Sequence, residues 1–205
     1  MKKSKAETAL TRQRIIAAAS EAIRSKGIEA TGVAEIMAAA GLTHGGFYRH
    51  FESKDELVAA AVAMSRRDFV AGAIAASEQG AEAIRTHFQS YVSPGYRDDI
   101  GSGCPLAANG SELVRADGKS RHLGTLGLRM LAKTAAPYVR QKDGETPFET
   151  AVNLVTNMVG ALTMSRMVDD PEFSRQILEA AQRRIAETID LSRPRPVKAE
   201  ESSAA

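Results

Sequence analysis

Apolar side chains recur at three- and four-residue intervals along most of the chain, the spacing of one buried helical face. From Thr8 to Lys26, the residues Ile15, Ile16, Ala19, Ala22 and Ile23 share such a face. Gly27 then predicts a stop, with the Lys26 cation in the last turn where the helix dipole favours it. A short second helix carries Val33, Ile36, Met37 and Ala40, with Thr31 placed to cap it and Gly41 to end it. After Leu42, Thr43 is placed to cap a third short helix reaching Tyr48 or His50. Ser53-Lys54-Asp55-Glu56 reads as a capping box, the hydroxyl taking the third amide while the Glu carboxylate returns to the Ser amide. Leu57, Val58, Ala61, Val62 and Met64 extend this into a long fourth helix ending near Ser77, inside which the chain passes from a front unit to a larger body.

The body continues in the same period. A helix is predicted over 81–91, broken by Ser93-Pro94-Gly95, with a loop over 96–103. Pro105 to Ala108 begin another helix, Ala116-Asp117-Gly118 make a turn, and Leu123, Leu126, Met130, Leu131 and Val139 mark a longer one. Thr146-Pro147-Phe148-Glu149 combines a capping box with Pro at the first helical position, and Asp170-Pro171-Glu172 repeats the Pro device. The helix over 147–168 is apolar through a wide arc (Phe148, Ala151, Val152, Val155, Met158, Val159, Leu162) beside a small polar strip of Asn153, Thr156, Gly160 and Thr163. The last helix sets Phe173, Ile177, Ala181, Ile185 and Ile189 against Arg175, Glu179, Arg183 and Glu187. A helix apolar nearly all round is buried on more than one side. Two explanations stay open: a core helix of one subunit, or a dimer interface through Phe148, Val152, Val155, Val159, Thr163, Phe173, Ile177 and Ile185. The expected organisation is therefore a front unit over 1–54, a body over 55–191, and a polar, Pro-bearing disordered tail over 192–205.

Composition supports an all-α chain: 35 of 205 residues are Ala, ten are aromatic, and β-branched residues do not cluster. No apolar run approaches the roughly 18 residues of a membrane span. The basic start Met1 to Lys5 is followed by Ala6-Glu7-Thr8 instead of an apolar stretch, which argues against a signal peptide. A single cysteine, Cys104, suits a cytoplasmic location, and His44, His50, His87 and His122 show no metal-ligand spacing. Charge is divided unevenly. Residues 1–54 carry nine Lys/Arg against five Asp/Glu, a net of +4, while the remainder carries eighteen against twenty. A polyanionic partner is thus expected at the front.

Two short helices joined by a Gly-containing turn form the helix-turn-helix pattern, whose second helix must protrude enough to enter a major groove. Leu42, Phe47 and Phe51 suit its buried side; Thr43, His44, Gly45, Gly46, Tyr48 and Arg49 leave an outer side rich in donors and nearly free of bulk. Two glycines in a short helix cost about 1 kcal/mol each relative to Ala, a cost that close approach to a nucleic-acid surface explains.

Residues 11–62, and above all Gly41-Leu42-Thr43-His44-Gly45-Gly46-Phe47-Tyr48-Arg49-His50-Phe51-Glu52-Ser53-Lys54-Asp55-Glu56-Leu57, resemble the DNA-binding domain of TetR-family (TetR/AcrR type) transcriptional regulators. The family pattern is Ala-Gly-Val/Leu-Ser/Thr, two variable positions, a small residue, aromatic-Tyr, then Phe-x-Ser/Asn-Lys-acidic-x-Leu; Ala40 to Leu57 follow it almost throughout. The resemblance spans about a quarter of the chain. It implies about nine helices, a three-helix DNA-binding domain and a larger ligand-binding and dimerisation domain. It places Thr43, His44 and Gly45 against base edges and nearby phosphates, and the Tyr48 hydroxyl on a phosphate. Thr31 and Lys54 would grip the backbone at two helix starts, and Arg49 would add a phosphate contact. His50 would either join the phosphate contacts or pack in the aromatic cluster, and Lys2, Lys3 and Lys5 would form a DNA-touching arm or a solvated start.

Gly103-Cys104-Pro105-Leu106 is similar to a segment of the LmrA/YxaF-like branch, whose members sense small aromatic or drug-like molecules. Cys104 is then a redox or electrophile sensor near a helix N-terminus, which lowers thiol pKa, or a small buried hydrophobe. A ligand cavity would draw its lining from His87, Phe88, Tyr91, Tyr96, Cys104, His122, Met130, Asn157, Met158 and Met164.

These expectations converge on a homodimeric, ligand-responsive DNA-binding regulator. It would be a repressor on a pseudo-palindromic operator, released by an apolar or aromatic small molecule, with no cofactor, metal or membrane partner. An enzyme finds no paired carboxylates, Ser-His-Asp set, phosphate-cradling loop or metal cluster, and Asp98-Asp99 fit a solvated loop. The remaining alternative, a helical interaction module without DNA binding, sits poorly with Thr43, Tyr48 and Lys54 all in place.

Overall fold

A computed structural model describes residues 4–195, and its regular structure is helical. Among the described residues nine α-helices run in order: α1 Lys5–Lys26, α2 Val33–Ala39, α3 Lys54–Gln79, α4 Ala81–Tyr91, α5 Pro94–Asp98, α6 Pro105–Leu113, α7 Gly118–Ala135, α8 Pro147–Met167 and α9 Pro171–Thr188. A 3-10 helix, His44–Arg49, lies between α2 and α3, and a second 3-10 turn, Ala136–Tyr138, follows α7. Residues 192–195 of the expected tail are described; its remainder, and Lys2 and Lys3 of the expected arm, lie outside the described residues.

Local chemistry explains most boundaries. The Thr146–Glu149 box and the Pro147 and Pro171 starts form as expected, and Asp170 caps the last helix as well. α1 begins earlier than its apolar face suggests, because Ser4 and Glu7 make a further capping box: the Glu7 amide donates to the Ser4 hydroxyl and the Ser4 amide to the Glu7 carboxylate. At α3 only half of the expected box forms. Ser53 accepts from the Glu56 amide, but the Glu56 carboxylate turns instead to the Glu52 amide at 2.7 Å. Part of the loop expected over 96–103 belongs to α5, started by the Ser93 cap and Pro94. The helix expected to reach Val139 ends at Ala135, since Pro137 has no N–H to continue it; Val139 instead bridges to Ile189.

The buried side chains form two clusters, and α3 enters both. The first gathers Ile15, Ala19 and Ile23 of α1, Ile36 and Met37 of α2, Phe47, Phe51, and Leu57 to Val62 of α3. The second packs Val70, Ala73 and Ala76 of α3 with α4, α7, α8 and α9 around Phe88, Tyr138, Leu154, Leu162 and Leu178. Each large side chain so buried contributes about 1.5–3 kcal/mol, so α3 is rigidly committed at both ends.

Two residues expected at a dimer interface belong to this second cluster. Val155 and Ile185 are buried within their own subunit, because the α8 and α9 faces that carry them pack inward. Phe148 and Phe173 are exposed, while Val152, Val159, Thr163 and Ile177 are half-buried.

Candidate nucleic-acid interface

The turn between α2 and the 3-10 helix is fixed by backbone chemistry. Gly41 adopts φ 70°, its amide donating to the Ala38 carbonyl at 2.9 Å and the Leu42 amide to the Met37 carbonyl at 2.8 Å. This is a Schellman motif, and the positive φ explains the glycine. Arg14 of α1 closes the same helix end, donating from Nη2 to the Ala40 carbonyl at 2.5 Å. The exit direction from α2 is therefore set by four groups.

The segment after the turn is a 3-10 helix, where an α-helix is the simpler expectation, and Thr43, its N-cap, makes no side-chain capping bond. Phe47 anchors it, stacked on Phe51 with centroids 5.7 Å apart; Leu42 is half-buried beside them. Arg12 lies over the Phe51 ring at 4.5 Å and pairs with Glu56 at 2.8 Å, which ties this aromatic floor to α1 and α3. On the other side Thr43, His44, Gly45, Tyr48 and Arg49 are exposed together. Tyr48 is 73% exposed, held edge-on by Phe47 at 5.2 Å with its hydroxyl outward of the core. Neither Gly45 nor Gly46 has a positive φ, and a Cβ at Gly45 would meet nothing within 4 Å. Nothing inside the subunit requires glycine at 45. Lys54 stands half-buried at the first position of α3.

One expected contact falls differently. Thr31 is not the α2 cap: Gly32 is, and Thr31 is fully buried with its hydroxyl donating to the Gly27 carbonyl at 2.6 Å. A side chain so enclosed cannot reach a phosphate. His50 is half-buried at the end of the 3-10 helix, its carbonyl accepting from Arg12 Nε at 3.3 Å, and it lines a surface recess with Thr43, Gly46 and Arg49. Lys5 opens α1.

The body meets this unit through α6. Asn109, buried, donates to the Ile23 carbonyl at 2.9 Å and to the Glu112 carboxylate at 3.0 Å. Glu112 in turn accepts from the Ile28 amide at 2.9 Å and the Glu29 amide at 3.4 Å. A Cβ at Gly27, where φ is 93°, would come within 2.8 Å of that carboxylate.

Behind this clamp lies a cleft of about 380 Å³ lined by Arg24, Ser65, Asp68, Phe69, Gly72, His87, Ser90, Tyr91, Tyr96, Ser102 and Gly103. It brings together three of the expected ligand residues, His87, Tyr91 and Tyr96. Phe88 and Met158 line a nearly filled apolar crevice adjoining it through Phe69, His87 and Tyr91. Burial pulls the His87 pKa below its ordinary value, which keeps the ring neutral at pH 7, and pushes the Tyr91 and Tyr96 hydroxyls upward.

Five expected cavity residues lie elsewhere. His122 and Asn157 are exposed on outward faces of α7 and α8, as is Met164 near the end of α8. Met130 is half-buried and accepts from Arg66 at 3.3 Å. Cys104 is the α6 N-cap, as its sequence position suggests, but is wholly buried. Desolvation raises its thiol pKa, outweighing the Tyr91 hydroxyl, the Ala107 and Leu106 amides and Arg166, so the helix terminus does not make it a thiolate. Arg24 and Phe69 were not expected in the cleft. Arg24 reads in sequence as a last-turn cation, and only the tertiary fold brings it beside Gly101.

Residues 15–61 match the family profile of bacterial regulatory proteins, tetR family. The fold is shared with a transcriptional regulator of the TetR family from Cytophaga hutchinsonii (20% identity, 91% of this chain and 98% of that one, TM-score 0.72). It is shared too with a TetR transcriptional regulator from Chloroflexus aurantiacus (24% identity, 91% and 99%, TM-score 0.69). A SmeT–triclosan complex matches at 20% identity over 92% of this chain and 99% of that one, with a TM-score of 0.62. Among the described residues no helix is long and apolar enough to cross a membrane, and no group of His, Cys, Asp or Glu could hold a metal ion. Residues 15–61 thus carry the DNA-binding domain of the tetR family, and the fold of the chain is the one that these TetR-family regulators share.

Proposed function

We propose that the protein is a cytoplasmic repressor that binds a pseudo-palindromic operator as a homodimer and leaves it when a small molecule occupies the body. The observation that carries this reading is the exposed, glycine-bearing 3-10 helix, held at a fixed angle by the Gly41 turn and Arg14 while its outer face offers hydrogen-bonding groups. Thr43, His44 and Gly45 meet base edges; Tyr48, Arg49 and Lys54 hold phosphates, which set register without reading sequence. Thr31 has no part in these contacts, while His50, in the same recess as Thr43 and Arg49, adds a phosphate contact.

The front unit, residues 1–54, reads DNA, and 55–191 form the ligand and dimer unit, with α3 as the shared beam. Phe148, Val152, Val159, Thr163, Phe173 and Ile177 form the dimer face. Met164 and Met167, near the end of α8, and Phe173, near the start of α9, are exposed around the short turn joining those helices, which supports an apolar contact there. Two recognition segments then reach major grooves about one helical turn, roughly 34–36 Å, apart. The effector enters the cleft beside His87, Tyr91 and Tyr96; its volume of about 380 Å³ lies within the range of small-molecule sites. The similar fold in a SmeT–triclosan complex supports a small-molecule ligand.

Light scattering with mobility shift on the chain's own upstream DNA tests this reading. A dimer that shifts that DNA is expected; a monomer, or a dimer that shifts no DNA above competitor, overturns it.

A further inference from the structure

The cleft carries an unbalanced charge. Arg24, on its wall, donates from Nε to the Gly101 carbonyl at 2.6 Å and from Nη1 to the hydroxyls of Ser20 and Ser65. All of these partners are neutral, and its Nη2 bonds to no protein group among the described residues. Arg166 lies behind the same wall. Its Nε and Nη2 donate to the carbonyls of Arg97 and Tyr96, while its buried Nη1 has no partner. Neither guanidinium takes part in any ion pair of the described residues. A half-buried cation without a carboxylate is costly, and an anion supplied from outside relieves that cost.

The carboxylates nearby do not supply it. Glu21, the acidic charge that acts most on Arg24, is exposed and forms no ion pair with it; Asp68 sits at the cleft but pairs with Arg67 at 3.2 Å and is largely in solvent; Asp99 is exposed and bonded to Ser102. The apolar part of the wall is aromatic, with Phe69 and Tyr91 centred 5.4 Å apart and Tyr91 and Tyr96 5.0 Å apart. The Tyr91 hydroxyl, buried beside the Cys104 thiol, has no nitrogen or oxygen partner. A flat ring with one anionic oxygen group meets each of these features.

We infer that the effector is an aromatic carboxylate, its ring against Phe69, Tyr91 and Tyr96 and its carboxylate on Arg24. This rests on the reading that an effector occupies the body, and it names that effector's class. It also supplies a route to the DNA-binding unit. Arg24 belongs to α1, and a carboxylate on it competes with the Gly101 carbonyl that now ties α1 to the loop before α6. Charge-assisted bonds are roughly twice as strong as neutral ones, so the tie yields.

Calorimetry on the full chain with three probes of one shape tests the inference: 2-naphthoate, 2-naphthamide and 2-naphthylmethylammonium. The carboxylate is expected to bind at least tenfold more tightly than either of the others. Arg24→Gln removes that preference in a chain whose circular dichroism is unchanged. Ser90→Phe, which narrows the mouth from an exposed position without altering charge, weakens naphthoate at least tenfold whether or not the Arg24 variant folds. Tighter binding of the amide or the cation overturns the anionic class while leaving an effector site standing. Naphthoate binding untouched by Ser90→Phe places the site elsewhere in the body, and no binding by any probe overturns both the class and the cleft.

Discussion

The Glu112 carboxylate of α6 accepts the backbone amide of Ile28, 84 residues away, at 2.9 Å, and so joins the body to the turn that follows α1. Burial works to raise the Glu112 pKa, but the bonds from the Asn109 side chain and the Ile28 and Glu29 amides, with the Arg115 charge, together hold it below the ordinary carboxylate value. A depressed carboxylate stabilises the fold above its unfolded pKa and loses that contribution as pH falls through the folded value. Glu112→Gln is therefore expected to cost about 1 kcal/mol at pH 7, a solvent-screened charged bond, and nothing in acid. Thermal melts of both proteins across pH check this; a pH-independent difference contradicts the clamp.

Gly45 separates stability from binding. Its backbone is not left-handed and a Cβ there meets open space. Gly45→Ala should stabilise the free protein by about 0.4–1 kcal/mol by narrowing the unfolded ensemble. The same methyl, on the outer face of the recognition segment, should weaken operator binding at least several-fold. Chemical denaturation and fluorescence anisotropy measure the two effects, and unchanged affinity removes Gly45 from the interface.

Phosphate and base contacts predict different signatures. Tyr48→Ala and Lys54→Ala should weaken binding to all sequences, and Lys54→Ala should lower the salt slope by about one phosphate. Thr43 and His44 variants should also change sequence preference, by about 1–3 kcal/mol per lost base contact. Salt titrations and operator selection distinguish them. Selection of the unchanged operator by both variants refutes base reading by this pair.

Cys104 is expected to be inert. Its burial and raised pKa predict that iodoacetamide labels the native thiol at pH 8 far more slowly than the unfolded one, and that Cys104→Ala retains DNA binding. Rapid native labelling with loss of DNA binding would restore the sensor reading.

The helices were legible where local chemistry decides them. Gly41, the Thr146–Glu149 box and the two Pro starts each announce a boundary through their own residues. Misreadings arose where a partner distant in sequence decides. Thr31 has the composition of a cap, yet Gly27 claims its hydroxyl and Gly32 takes the cap position. Val155 and Ile185 fit an interface stripe, but periodicity does not say whether the facing surface is one's own core. His122 and Asn157 have the polar character of a ligand lining, but the rotation of α7 and α8 turns them outward. Arg24 gave no sign of its role because Gly101 and Ser65, its partners, are 77 and 41 residues away.

Methylation-protection footprinting of the operator complex bears most directly on the claim that the 43–49 segment enters duplex DNA twice per dimer. It should show two dyad-related clusters of protected guanine N7 atoms, in the major groove and about one helical turn apart, both lost with Tyr48→Ala. A single cluster, protection confined to the minor groove, or a footprint unaltered by that substitution would contradict it.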